Sequence, residues 1–301
     1  GEDVIGFGAG EPDFNTPEHI KQAGIRAIQD NQTRYTPVGG SVLFKEAIIH
    51  KLQRDNGLIY ETNQILASSG AKQSFYNLAQ VLWQAGDEVI IPAPFWVSFP
   101  DMVTLSGARP VIIHSGAEQN FKVTPEQIDK AVTPNTRAIV INSPSNPTGS
   151  AYDKGELEKL AECALRHGLL IISDEIYEQI VFDGFQHTSI ASLSKEVQKN
   201  CVVINGVSKS FAMTGWRIGY IAAGNPEIVK QVNKLQGQST SNPCSVSQAA
   251  SIEALNGPLD EVHKMVREFE KRRDILVGLL RQIPGVSCNM PTGSFYSFPD
   301  F

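Results

Sequence analysis

The sequence predicts an α/β protein: a mostly parallel, seven-stranded sheet flanked by helices, with a smaller α/β unit attached. Three observations predict it. Seven short apolar runs punctuate the chain, helical patterns separate most of them, and 301 residues suffice for one large α/β unit with an appendage. Short buried strands alternating with helices imply parallel pairing, because each parallel crossover returns over a sheet face and covers it.

The runs come in order as Ile65 to Ser69, Glu88 to Pro92, Pro110 to His114, Arg137 to Asn142, Leu169 to Ser173, Cys201 to Asn205, and Arg217 to Ala223. A helical pattern from about Phe75 to Leu82 follows the first. Between the fourth and fifth, Leu157, Leu160, Ala161, Ala164 and Leu165 recur at helical spacing; Asp153 suits the N-cap, and Glu156 favours the first turn. A long helical pattern from about Leu259 to Gln282 then leaves the sheet. Its charged middle (Arg267, Lys271, Arg272, Arg273) reads as a solvated face. These boundaries give a large unit over residues 21–269 and a smaller one from residues 1–20 and 270–301. Both ends read as cut, since Phe298-Pro299-Asp300-Phe301 is an extended segment of the kind that leads onward. The smaller unit is therefore expected to be truncated.

Composition excludes some classes of function. A hydrophobic fraction of 41% and a charged fraction of 19% are ordinary for a globular protein. A formal net charge of -6 argues against a nucleic-acid face, which demands clustered cations. Cys163, Cys201, Cys244 and Cys288 lie far apart, with neither CxxC pairs nor metal-ligand spacing, so free thiols in a reducing cytosol and no metal are expected. No apolar run spans a bilayer and no secretory pattern opens the sequence; a cytoplasmic location follows as an expectation.

The chemistry concentrates in Asn205-Gly206-Val207-Ser208-Lys209-Ser210-Phe211-Ala212-Met213-Thr214-Gly215-Trp216-Arg217-Ile218-Gly219-Tyr220. An apolar strand delivers Lys209 into a segment of small residues, where lost hydration lowers an amine's pKa and exposes its nucleophilic form. Arg217 offers a planar fork of donors suited to phosphate. An amine able to form a Schiff base beside a phosphate anchor is the minimum equipment for pyridoxal phosphate. Upstream, a buried strand ends in Ser173-Asp174-Glu175-Ile176-Tyr177. Ligands of open α/β sheets lie beyond the carboxyl ends of strands, so Asp174 can face a pyridine nitrogen and Tyr177 a ring oxygen. An Asp after a strand equally suits a helix cap.

Further segments fit the same pocket. Ser69-Gly70-Ala71-Lys72 joins a strand to a helix, where small residues let N–H groups approach a phosphate, although any such turn can contain glycine. Trp96, just past Pro92-Ala93-Pro94, can stack on a ring or fill a core. Asn146 stands in an Asn-Pro-Thr-Gly run that also reads as a turn.

Together these segments, with Ala9-Gly10-Glu11-Pro12-Asp13-Phe14, Pro94-Phe95-Trp96-Val97-Ser98 and Asn142-Ser143-Pro144-Ser145-Asn146-Pro147-Thr148-Gly149, resemble the class I pyridoxal-phosphate aminotransferases of fold type I. The resemblance runs from Gly6 to Phe301 and is specific to aspartate aminotransferases of the bacterial and plastid subgroup, which includes aspartate/prephenate enzymes. It implies that residues 21–269 bind pyridoxal 5'-phosphate. Lys209 would carry the cofactor and shuttle a proton, Asp174 would hold the ring nitrogen, and Tyr177 and Asn146 the ring oxygen. Trp96 would stack on the ring, while Gly70, Ala71, Lys72, Ser208 and Arg217 cup the phosphate. Tyr35 would reach the phosphate of a neighbouring subunit, implying a homodimer with sites at its interface. Gly10, Lys72, Trp96 and Asn146 would meet the substrate, Lys72 through a distal carboxylate. Where many relatives carry a serine, this chain has Gly206. The arginine that clamps the substrate's α-carboxylate belongs to a segment past Phe301, so a fragment of the enzyme is expected.

Transamination between an amino acid and a 2-oxo acid is the implied activity, with L-aspartate and 2-oxoglutarate as the expected pair. Prephenate, aromatic or alanine-type aminotransferases would keep the same cofactor residues. A fold-type I lyase or a non-catalytic cofactor-binding module would share the pocket too.

Overall fold

A computed structural model describes residues 8–301, so the first seven residues of the expected smaller unit lie outside the described residues. All seven apolar runs form strands of one sheet: β1 (Ile65–Ser68), β2 (Glu88–Ala93), β3 (Arg109–His114), β4 (Thr136–Asn142), β5 (Leu170–Asp174), β6 (Cys201–Gly206) and β7 (Gly219–Ala223). Their order across the sheet is β1-β7-β6-β5-β4-β2-β3. Strands β2 to β6 run parallel, and β7 is antiparallel to both neighbours.

Helices α1 (Glu18–Gln29), α2 (Val42–Asn56), α3 (Ala71–Leu82), α4 (Ser98–Leu105), α5 (Pro125–Ala131), α6 (Lys154–Arg166), α7 (Lys195–Lys199), α8 (Pro226–Ser239), α9 (Ser245–Asn256) and α10 (Asp260–Leu280) surround it. A two-residue pair, β8 (Ser287–Cys288) and β9 (Pro299–Asp300), follows α10.

Alternation along the central strands builds two cores. Ile139, Ile141, Ile171 and Val203 face one way, against α2, α6 and α9; Ala138, Val140, Ile172, Val202 and Ile204 face the other, against α3, α4 and α8. Burial on both faces explains why these strands are continuous apolar runs rather than alternating ones. Truncating a fully buried member such as Ile172 to alanine is expected to cost about 2–5 kcal/mol. Helix α6 starts as its sequence dictates: Asp153 accepts the Glu156 N–H at 2.9 Å, and Glu156 returns the bond to the Asp153 N–H at 2.8 Å.

Two expectations need correction. The last strand begins at Gly219, because Arg217 takes a left-handed conformation (φ 54°) after a 3-10 turn at Thr214–Trp216. The middle of α10 is not wholly solvated either: the Arg273 side chain is buried. It binds Asp183 at 2.6 Å and the Pro291 carbonyl at 3.0 Å, and lies over the Phe182 ring. An acid supplied by a distant loop explains why an arginine can be buried there, and helical periodicity holds no record of that partner. Arg272, by contrast, stays half-exposed and pairs with Asp13.

Candidate active site

The sheet register brings the first functional groups together. Asn142 ends β4 directly beside Asp174 at the end of β5, and Asp174 pairs across to Ile204 on β6. The Asn142 side chain donates to the Asp174 carbonyl at 3.1 Å and accepts the Asn146 N–H at 2.8 Å. Asp174 caps no helix. Its carboxylate accepts the Ile176 N–H at 3.1 Å in a tight turn and faces a cleft of about 690 Å³. That cleft is also lined by Gly10, Ala71, Lys72, Trp96, Asn146, Tyr177, Ser208, Lys209 and Arg217. Ten residues singled out from the sequence thus converge on one cavity.

Lys209 sits on the loop after β6, anchored by Val207, Met213 and Ile218, which are fully buried. Its ammonium donates to the Gly10 carbonyl. The N-terminal segment is fastened over this loop: Thr16 donates to the Ala212 carbonyl at 2.7 Å and accepts from the Trp216 indole at 3.1 Å. Burial lowers the Lys209 pKa, the positive Arg217 lowers it further, and Glu11 and Asp174 oppose them. Burial pushes Asp174 the other way, up to about 7; the Ile176 N–H restrains that rise and the Glu175 charge adds to it.

Across the cleft, α3 presents its N-terminus. The N–H groups of Ala71 and Lys72 have no carbonyl partners within the helix, whereas that of Gln73 donates to the Gly70 carbonyl at 3.0 Å. Gly70 caps it at φ +92°, and a Cβ there would lie 2.4 Å from the Arg217 guanidinium. Only glycine leaves that cradle open. Arg217 is tethered to the Thr214 carbonyl at 3.0 Å, which aims its remaining donors beside the helix end. Gly206 is constrained too: a Cβ would lie 2.8 Å from the Ile218 carbonyl, so a serine here would require the neighbouring backbone to shift. Lys72 lies 4.9 Å from the Trp96 ring centre, at the mouth of the cleft.

A family model described as aminotransferase class I and II matches residues 2–301. The chain belongs to the class I and II aminotransferases. The aspartate aminotransferase of Geobacillus stearothermophilus is 53% identical over 300 residues, which is 100% of this chain and 76% of that protein. The aspartate/prephenate aminotransferase of Cereibacter sphaeroides is 49% identical over 301 residues, 100% of this chain and 75% of that one. The crystal structure of the aspartate aminotransferase from Rhizobium meliloti superposes with a TM-score of 0.95 at 45% identity, covering 97% of this chain and 73% of that one.

This aminotransferase is an enzyme that depends on pyridoxal 5'-phosphate. The residues present fit that group. A helix N-terminus and Arg217 at one end of the cleft suit a phosphate, a buried acid at the other suits a protonated ring nitrogen, and a partly buried amine lies between.

Two proposed site residues do not line this cleft, and one of them, Tyr35, is 91% exposed. Gly70 backs Arg217 rather than lining the cavity. Sequence reasoning missed Tyr296. Its hydroxyl meets that of Tyr177 at 2.9 Å and accepts from Asn146 Nδ2 at 3.3 Å. Its local sequence, Ser294-Phe295-Tyr296-Ser297-Phe298, carries no signal for this role; the packing of Phe295 against Phe269 of α10 and the hydrogen bonds of Ser294 to the Ile180 and Ser145 carbonyls bring it in. Among the described residues, no helix is long and apolar enough to cross a membrane. All four cysteines are free.

Proposed function

We propose that this aminotransferase moves the amino group of L-aspartate to 2-oxoglutarate, using Lys209 as its catalytic amine. The single observation that carries the reading is the shared cleft of Lys209 and Asp174: a partly buried amine with a lowered pKa facing a fully buried carboxylate. Bound there, pyridoxal 5'-phosphate supplies an electron sink for the bonds at the substrate's α-carbon. The Lys209 amine removes the α-proton and later returns a proton, acting as base and then acid. Asp174 keeps a proton at the ring nitrogen. Asn146 and Tyr177 hydrogen-bond the ring oxygen, and Trp96 covers the ring face and excludes water. Ala71, Ser208 and Arg217 hold the phosphate, in the cradle that Gly70 keeps open. Gly10 contributes its carbonyl.

Lys72 supplies a cation at the cleft mouth for a second carboxylate, which supports a dicarboxylic substrate. The names of the relatives support aspartate in particular. Prephenate is the second reading, favoured by the Cereibacter relative. Steady-state kinetics with aspartate, glutamate, phenylalanine and prephenate as amine donor or acceptor pairs separate them. Aspartate with 2-oxoglutarate is expected to give the highest kcat/KM with ping-pong patterns, and a higher kcat/KM for prephenate would reverse the choice.

We also infer a homodimer in the cytoplasm. Tyr35 is exposed and does not line its own cleft, and Val42 and Leu43, a few residues on, are exposed and apolar, which suits a residue and a surface serving a neighbouring subunit. Free, mostly buried thiols suit a reducing compartment.

A further inference from the structure

One group beside the cleft has no place in the reaction as described: Glu175, the neighbour of Asp174. Its side chain turns away from the cavity and is buried, only 2% exposed. It accepts from the hydroxyls of Ser173 and Ser189, both at 2.8 Å, and lies 3.3 Å from His187 Nε2. Its backbone N–H donates to the Ile204 carbonyl at 2.9 Å, locking the turn that carries Asp174 onto β6. Glu178 lies close by and already holds the ammonium of Lys51, together with Asn56 at 2.9 Å and Asn205 at 2.8 Å. Its charge is therefore matched, while that of Glu175 is met by two neutral hydroxyls and an imidazole.

We propose that Glu175 is a positioning residue for the transamination: its buried carboxylate, held by Ser173, Ser189 and His187, keeps Asp174 a strong acceptor toward the cofactor's ring nitrogen. The inference rests on the role given above to Asp174. A negative charge one residue away, screened by protein rather than water, makes the neighbouring carboxylate hold its proton more tightly. The structure carries the matching direction, with Glu175 raising the proton affinity of Asp174 and Lys209 lowering it. Other titratable groups face this pair. Tyr177 senses Asp174, and Tyr60, Cys201 and Tyr220 sense Glu175. Burial raises all four, so that they stay neutral near pH 7, and the groups left to answer the Glu175 charge are the Ser173 and Ser189 hydroxyls and His187.

The test is carboxyl-carbon NMR of Asp174 in cofactor-free protein, which does not depend on turnover or on the substrate. Glu175→Gln keeps the shape and both hydroxyl bonds but removes the charge; it is expected to lower the Asp174 midpoint by about one pH unit. Ser189→Ala removes a hydrogen bond but keeps the charge, and is expected to leave the midpoint in place. In the cofactor-loaded enzyme, Glu175→Gln is expected to lower kcat about tenfold with KM within about twofold. An unchanged Asp174 midpoint in Glu175→Gln, or an equal change in both variants, would overturn the proposal. A failure of the Asp174 role itself is read separately, from substitution of Asp174.

Discussion

The hydroxyls of Tyr177 and Tyr296 meet at 2.9 Å inside the cleft, joining the turn after β5 to a segment more than a hundred residues later. Burial and the neighbouring Tyr296 raise the Tyr177 pKa, so the hydroxyl keeps its proton to donate. Tyr296→Phe is expected to leave Tyr177 less well oriented. Its cost is about 1 kcal/mol in stability and less than tenfold in kcat/KM, measured by denaturant unfolding and steady-state kinetics.

Asp174 makes the cofactor-free protein sensitive to pH in a definite direction. Its carboxyl is pushed up to about 7, chiefly by burial, whereas in the unfolded chain it titrates near about 3.9. Between those values the native state holds a proton that the unfolded chain has lost. Stability from this group therefore falls as pH rises from about 4 to about 7. Asp174→Asn is expected to remove that slope and to stabilise the cofactor-free protein by about 2–4 kcal/mol at pH 8. The same variant is expected to lose cofactor affinity and about a hundredfold or more in kcat. Parallel unfolding curves at several pH values and cofactor titrations check both signs.

Gly70→Ala tests the phosphate cradle. The residue sits at φ +92°, and its new methyl would press on the Arg217 guanidinium. The expected result is a loss of about 1–3 kcal/mol in stability together with weakened cofactor binding, read by thermal melts with and without cofactor. Arg217→Lys, which keeps the charge but loses the fork, is expected to weaken cofactor binding with little change in unfolding of the cofactor-free protein.

Much of this was legible in the sequence because the central strands are buried on both faces and so appear as unbroken apolar runs. The capped start of α6 and the carboxyl-end position of Asp174 were legible for similarly local reasons. Arg273 was misjudged because its partner, Asp183, is remote in sequence, and helical periodicity registers charge without registering who answers it. The start of β7 was placed two residues early because the left-handed turn at Arg217 leaves no mark in hydrophobicity. Tyr296 escaped for the same reason as Arg273: its meaning comes from the aromatic cluster with Phe295 and Tyr177.

Borohydride reduction of the cofactor-loaded enzyme, followed by peptide mass analysis, tests the central claim most directly. The predicted result is a single phosphopyridoxyl addition on the peptide containing Lys209, with Lys209→Ala giving neither the adduct nor turnover. An adduct on Lys72 or any other lysine, or wild-type turnover in Lys209→Ala, would contradict it.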